Sequence, residues 1–572
     1  MNTTNKVPNE QMSIPPVIHE ILSKRGVKQE SINDFFSWNL RDLPDLRSLK
    51  DLTKTANRII EAIDSNQKIG IYGDYDVDGT TSCALFYHFF QMLDIEVDLC
   101  QPSRFIEGYG IHPPSIDTAI EKNIDLLITV DCGITNCETA DYAKEKEIDL
   151  IITDHHKDIR DEMPSAFSIV NPNRRDENDS PLKALAGVGV AFAVCLEVKT
   201  LLEAKGRKMD SIYPLLQFVA IGTICDLANL NPMNMKLTRH GLKQIINTDY
   251  PGVACFFNDE DRNAPFIVSE KISFYVGPLI NSKGRLDHPE KALNLLISKN
   301  HKEAFENYSH LEISNRERKI IQKEVFEEAK EQVIKNLKHD SPLINIVYSP
   351  EWHEGVIGIV ASKLVEMFEI PAIVFTNAKE NNVIKASCRS AGNLNLFEAL
   401  NQCKDLFLKF GGHKAAAGLS MNRENLAALK TMLNNQLQQI PEIERTVQKH
   451  YDLEIPFNSI NKDLVKKLES MEPFGMGNEK PVFRMKDCVI DSYKILKDLH
   501  VKWTFTHKDN PKFKISGISF NFIGKWNTPS PEQIFSAQST EGITVQFQIG
   551  INRFRGNEII QLMVGSIYIG EV

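Results

Sequence analysis

Four apolar runs, each stopped by an acidic residue or a histidine, constrain this chain more than any other feature. Ile69-Gly70-Ile71-Tyr72 leads into Gly73-Asp74-Tyr75-Asp76-Val77-Asp78-Gly79-Thr80-Thr81. Asp125-Leu126-Leu127-Ile128-Thr129-Val130 ends at Asp131, with Cys132-Gly133 beyond it. Asp149-Leu150-Ile151-Ile152-Thr153 ends at Asp154-His155-His156, and Phe218-Val219-Ala220-Ile221-Gly222-Thr223-Ile224 runs into Cys225-Asp226. The first three read as buried strands, and the fourth is helix or strand, because periodicity does not decide between them. Thr81 to Leu93 carries Leu85, Phe86, Phe89, Phe90 and Leu93 at helical spacing, and Ser115 to Lys122 and Glu138 to Glu147 have helical composition. Strands alternating with helices make a parallel sheet, and ligands bind at the carboxyl ends of such strands.

The acidic triplet needs a counter-charge. In an extended loop Asp74, Asp76 and Asp78 face one way. Two carboxylates ~5 Å apart repel by about 3 kcal/mol at an effective dielectric of ~20. A calcium loop of the EF-hand type is excluded. Its twelfth position must be a bidentate Glu and a helix must precede it; here that position is Leu85 and a strand precedes. Carboxylates with one or two imidazoles suit Mg2+ or Mn2+, imidazole tilting the choice toward manganese. Shared between two ions, such a set serves phosphatases and nucleases.

A chain of 572 residues, 42% hydrophobic and 25% charged, holds several domains. Met1 to Met12 lacks an apolar signal core, and no run approaches the ~20 residues of a membrane helix. The ten cysteines form no CxxC pair and read as reduced thiols of a cytoplasmic protein. A net charge of -10 gives no overall attraction to nucleic acid, but leaves room for a local basic groove.

Asp74 to Gly79, Val130 to Gly133, Thr153 to His156 and Gly222 to Asp226 resemble the four motifs of the DHH phosphoesterase superfamily. Within it the chain is most similar to the RecJ family of single-strand-specific 5′ to 3′ exonucleases. Leu185 to Phe192, Trp352 to Ser362, Phe410 to Gly418 and Pro473-Phe474-Gly475-Met476-Gly477-Asn478 extend the resemblance from about Gly70 to near the C-terminus. There are departures. Asn281-Ser282-Lys283-Gly284-Arg285 stands for Asn-Ala-Ala-Gly-Arg, Leu279 for an arginine, and Cys225 for an alanine; Ala386-Ser387-Cys388-Arg389-Ser390 lacks the family's flanking glycines.

The resemblance implies an α/β fold with residues 1–54 as lead-in, a parallel-sheet DHH catalytic domain over 55–300 and a long connecting helix over 301–340. A second α/β, DHH-associated substrate domain over 341–450 and a β-rich OB-type domain over 451–572 follow. It implies two ions, Mn2+ or Mg2+, held by Asp76, Asp78, Asp131, His155 and Asp226, with Asp74 and His156 in contact with them or just behind. Asp131 is the expected bridge, and His156 orients the site or protonates the leaving oxygen. Tyr75, Arg104, Ser387 and Arg389 are expected to hold a 5′ phosphate, and Arg285 to contact DNA. Gly411-Gly412-His413 either presents backbone N–H groups to phosphate or is a tight turn with a packed histidine; the resemblance favours the former. Arg104, ahead of Gly108-Tyr109-Gly110, either binds phosphate in a loop whose tyrosine stacks a base or belongs to a loop that is merely a turn.

The tail alternates like strands at Lys512 to Ile518 and Ile543 to Ile551, and Asn552 to Asn557 reads as a basic hairpin turn. Trp503, Phe505, Phe513, Phe522 and Trp526 lie among lysines; about half should be core, and the rest suit base stacking. The expected activity is 5′ to 3′ hydrolysis of single-stranded DNA in repair and recombination, by a cytoplasmic monomer. A single-strand-binding protein and a helicase are expected partners by analogy. The rivals are a DHH phosphodiesterase for dinucleotides or nanoRNA, a pyrophosphatase, and an inactive DHH-type scaffold. The first two are shorter chains, and scaffolds lose metal ligands that are all present here.

Overall fold

The apolar runs become strands because both of their faces are covered. In this computed structural model, which describes residues 14–102, 108–158, 161–177, 179–264, 267–282, 290–339, 342–486, 488–539, 542–554 and 557–570, the first sheet is all parallel. It comprises β1 (Ile69–Gly73), β2 (Val97–Cys100), β3 (Leu126–Val130), β4 (Asp149–Thr153) and β5 (Ser168–Val170), in the order β2-β1-β3-β4-β5. Ile69, Ile71, Ile128 and Ile151 face a core shared with helices Leu52–Asp64, Val77–Gln91 and Gly187–Ala204. Tyr72, Leu127, Leu150 and Ile152 face the opposite side, against helices Pro113–Glu121 and Cys137–Glu145. From β1 the chain goes to β2 on one side and then to β3 on the other. That reversal opens a crevice at the carboxyl ends of β1 and β3, where Asp74 and Asp131 stand.

One open alternative is decided and one expectation is corrected. The run ahead of Asp226 is a helix, Leu216–Cys225, buried on all sides as an apolar helix of a large core must be. The triplet is not extended: Asp76 caps a helix that starts at Val77, so Asp78 lies in its first turn. Alternation therefore does not align the three carboxylates.

A helix of 39 residues, His301–His339, follows. The second sheet comprises β6 (Asn345–Tyr348), β7 (Ala372–Asn377), β8 (Val383–Arg389), β9 (Phe407–Gly412) and β10 (Ala416–Asn422), ordered β6-β7-β8-β10-β9. Only its β6–β7 pairing is parallel. Helix Glu354–Phe368 packs on it. The third sheet has seven strands: β11 (Leu453–Glu454), β12 (Phe483–Met485), β13 (Cys488–Leu496), β14 (His500–His507), β15 (Asn510–Ser519), β16 (Ile543–Phe554) and β17 (Asn557–Ile569). Trp503, Phe505 and Phe522 are in its core, whereas Phe513 and Trp526 are exposed.

The chain divides into two compact units. One holds Trp38–Val447 and Pro473–Asn478; the other holds Met1–Ser37, Gln448–Glu472 and Glu479–Val572. The lead-in is thus shared between units, and its expected end at residue 54 falls inside helix Leu52–Asp64. Within the second unit Arg25 makes a two-pronged ion pair with Asp452, at 2.7 and 2.9 Å. Among the described residues no helix is long and apolar enough to cross a membrane.

Candidate metal centre

The crevice gathers seven side chains from four segments. Asp74 follows β1, and its N–H donates to Val130 at the end of β3 (3.3 Å), which ties the two strand ends together. Asp76, at the helix cap, accepts from Gly79 N–H at 3.0 Å. Asp78 accepts from the N–H groups of Gly187 (2.7 Å) and Val188 (2.9 Å), at the start of helix Gly187–Ala204. A helix N-terminus is a natural seat for a carboxylate. Asp131 follows β3 in the left-handed region, at φ 60°. Aspartate tolerates this conformation better than most residues, and such strain concentrates at functional sites. Gly187 has to be glycine: a Cβ there would lie 2.8 Å from Asp131 Cβ.

The carboxylates and imidazoles form three overlapping sets, in each of which one ligand atom per residue lies within 4.8 Å of the others. Asp74, Asp76 and Asp131 make one; Asp78, His155 and Asp226 make another; Asp131, His155 and His156 make the third. Asp131 and His155 therefore each belong to two. His155 Nε2 lies 3.2 Å from Asp131 Oδ1, 3.7 Å from Asp78 Oδ2 and 3.8 Å from Asp226 Oδ2.

Burial and crowding decide the charges. Burial, then the charge of Asp76, pushes Asp78 up to about 7 against the pull of the two backbone N–H groups. Burial, then the charges of Asp78 and Asp76, pushes Asp226 up to about 9. Asp131 is raised well above the carboxylate range by burial and by four neighbouring carboxylates. Burial holds His155 down to about 4, so its imidazole is neutral and can act as a ligand. Asp131 Oδ1 and His155 Nε2 are both buried and make no hydrogen bond. Two orphaned acceptors facing each other among crowded carboxylates fit a divalent cation, and oxygen donors with imidazole fit Mg2+ or Mn2+.

Asp154, absent from the expected site, is the hub behind it. One oxygen accepts from the N–H groups of His155 (2.7 Å) and His156 (3.0 Å) and from His156 Nδ1 (2.8 Å). The other accepts from Ile134 N–H at 2.9 Å, which fixes the loop after Asp131. These donors outweigh burial and hold Asp154 down to about 2. Asp154 in turn lifts His156 to about 9, although burial alone would lower it. Tyr109 Oη lies 2.9 Å from His156 Nδ1 and 3.4 Å from the Asp131 carbonyl. Asn173 and Asn171 donate to the carbonyls of His155 and His156. Asp154 had a visible signal, its place at a strand end; the asparagines had none.

Tyr75, between Asp74 and Asp76 in the sequence, is half-buried. Arg104 and Arg285 lie outside the described residues, as does Arg555 in the basic turn. Leu279, where the family pattern has arginine, is buried in the core. Ser387 and Arg389 share one face of β8, with Arg389 Nη1 donating to Ser387 Oγ at 3.0 Å. Arg389 Nε also donates to Ser362 Oγ, at 3.2 Å. Ser387, Gly418 and Gly411 are cross-strand neighbours, so a strip without side chains runs from Ser387 to the β9 edge. The His413 N–H is taken by the Ala416 carbonyl in the hairpin turn, and the His413 side chain is exposed rather than packed.

Comparison with known proteins gives first the class. The DHH family, N-terminal domain, matches residues 68–223, the DHHA1 domain residues 341–439, and the RecJ OB domain residues 451–566. The single-stranded-DNA-specific exonuclease RecJ of Bacillus subtilis is 33% identical over 546 residues, covering 92% of this chain and 68% of that protein. The protein of the same name from Haemophilus influenzae is 32% identical over 542 residues, covering 92% of each. The chain belongs to the RecJ family. Among solved structures, exonuclease RecJ bound to manganese is 29% identical with a TM-score of 0.58, over 71% of this chain and 98% of that one. Thermus thermophilus RecJ in complex with Mn2+ shares the fold with a TM-score of 0.75 at 24% identity, over 98% of this chain and 79% of that one.

Proposed function

We propose that this protein is a metal-dependent exonuclease that removes nucleotides from the 5′ end of single-stranded DNA, in DNA repair and recombination. The observation that carries the reading is the shared place of Asp131 in two ligand sets. Asp74, Asp76 and Asp131 would hold one Mn2+ or Mg2+, and Asp78, His155 and Asp226 the other, with Asp131 and His155 between them. Bound there, two divalent ions supply Lewis acidity to an attacking water and to the scissile phosphodiester.

The protein's own groups do the rest. The Gly187 and Val188 N–H groups hold Asp78 in place. Asp154 bonds His156 Nδ1 at 2.8 Å, and the half-exposed imidazole of His156 would protonate the departing sugar oxygen. Ser387 and Arg389, with Tyr75 and Arg104, would hold the terminal 5′ phosphate, beside the glycine strip that lets a strand lie close to the sheet. Gly411 and Gly412 offer backbone at the β9 edge, Arg285 would contact the strand, and the exposed Phe513 and Trp526 offer stacking surfaces for bases. The relatives' names and the manganese-bound relative support this reading. A single-strand-binding protein and a helicase would supply the substrate strand.

The test is chelator-treated protein on a long single strand with a 5′ label. Labelled mononucleotide should be released first, and only when Mn2+ or Mg2+ is restored. Cleavage confined to dinucleotides would identify a dinucleotide phosphodiesterase instead. Binding without cleavage would identify a scaffold.

A further inference from the structure

Pro473–Asn478 is the one stretch of the C-terminal region that clusters with the larger unit, although the chain on both sides of it belongs to the other. Gly475 and Asn478 exchange backbone hydrogen bonds at 3.0 and 3.1 Å, closing a tight turn over Met476 and Gly477. Gly477 sits at φ +78°, which a turn of type II requires of its third residue. The turn docks on residues 226–231, the loop that begins with Asp226. Leu230 N–H donates to the Met476 carbonyl at 2.8 Å, and Leu230 is buried. A Cβ on Gly475 would lie 2.9 Å from Leu230 Cδ1, and one on Gly477 would lie 2.6 Å from Asn229 Oδ1. Asn478, 1% exposed, donates to the Pro473 carbonyl at 2.8 Å, and Phe474 N–H donates to Ser269 Oγ at 2.9 Å.

On its other side the loop is tied to the preceding helix, Asp226 N–H donating to the Gly222 carbonyl at 2.8 Å and Ala228 N–H to the Thr223 carbonyl at 3.2 Å. Asn234 Nδ2 reaches the Asn229 carbonyl at 2.8 Å, and Leu227 also bonds back to the helix that ends at Cys225. Leu227 is in the left-handed region at φ 59°, with its side chain in solvent. The helix end anchors the backbone at Asp226, and beyond the strained, exposed Leu227 the turn supplies the second anchor that fixes the far end of the loop. Removing the turn would leave the buried N–H of Leu230 without an acceptor.

We propose that Pro473–Asn478 is a positioning element of the metal centre. By fastening the loop that starts at Asp226, it keeps that carboxylate in the set formed with Asp78 and His155, and so retains one of the two divalent ions. The other set, Asp74 with Asp76 and Asp131, does not depend on it. The inference rests on the two-ion reading above.

The test is calorimetric titration of chelator-treated protein with Mn2+, for the full-length wild type, Gly477→Ala and the milder Asn478→Ser. Leu433→Ala, in the core of the second sheet, serves as a destabilised control remote from the centre, its loss of melting temperature measured beside that of the turn variants. The wild type and Leu433→Ala should bind two ions. The turn variants should bind one as tightly as the wild type and the second at least tenfold more weakly. Turn variants that match the wild type at both sites, or a control that loses the same site, would overturn the inference and leave two-ion binding standing. A wild type that binds a single ion would overturn the two-ion reading and the inference with it.

Discussion

The two sheets of the larger unit handle charge in opposite ways. At the carboxyl ends of the parallel sheet, carboxylates crowd together under cover, and their pKa values climb because burial and mutual repulsion outweigh the pull of the His156 imidazolium beside Asp78 and Asp226. On the mixed second sheet, the Arg389 guanidinium is already met by Ser387, Ser362 and the Cys388 carbonyl, part-way open to solvent. One place is incomplete without a bound ion. The other already has its hydrogen-bond partners within the protein and, in the proposed reading, would exchange hydroxyl partners for phosphate oxygens. Damage to the first should remove the chemistry, and damage to the second should remove a preference.

The strongest test of that contrast is Asp131→Ala. It should lower turnover at saturating Mn2+ by about 10³-fold, at or beyond the loss of a single transition-state donor, while the protein stays folded. Retention of a tenth of the wild-type rate would break the assignment of Asp131 to both ions. Next comes Asp154→Asn, which keeps the shape but weakens the hold on His156 and Ile134. A loss of about 10–100-fold is expected, as for groups that orient metal ligands. An unchanged kcat would mean that backbone contacts alone hold the His155-His156 segment.

Arg389→Ala sharpens the comparison from the other side. It should slow digestion of 5′-phosphorylated strands tenfold or more, in line with about 1.5–3 kcal/mol for a charged hydrogen bond. Strands with a 5′ hydroxyl should be much less affected, and an equal loss on both would place the 5′ choice elsewhere. The smallest effect is on stability. Asp78 and Asp226 rise from 3.8 to about 7 and about 9. A raised folded-state pKa gives stability that is full below the unfolded value and is lost as pH rises through the folded one. Metal-free protein should therefore lose melting temperature between pH 3.8 and about 9. Asp226→Asn should flatten that slope, and Mn2+ should stabilise the wild type more at pH 9 than at pH 6. Parallel melting curves for the two proteins would show that crowding at Asp226 costs the fold nothing.

The parallel sheet was legible because each strand is a short apolar run ended by a polar residue, and the pattern recurs. The start of the helix at Val77 was not. Its large apolar residues begin only at Leu85, and the capping aspartate, Asp76, was read with its acidic neighbours instead of with Gly79. The Phe218–Ile224 run could not declare itself, since a helix buried on every side has no polar stripe. Asp154 was visible, but its work is done on groups behind the ligands, which no spacing rule reveals. The turn at Gly475–Asn478 could be seen as a motif, yet its partner, Leu230, is remote in the chain, and nothing local connects them.

That remoteness has a consequence for synthesis. Ribosomes release the chain from its N-terminus, and domains fold as they emerge. Every carboxylate and imidazole of the centre has been made by Asp226, whereas the acceptor for Leu230 arrives only with Met476. For about half of its translation, a nascent chain carries the loop of Asp226 without its fastening. If the clamp sets ion retention, an enzyme that destroys single strands is armed only near the end of its own manufacture.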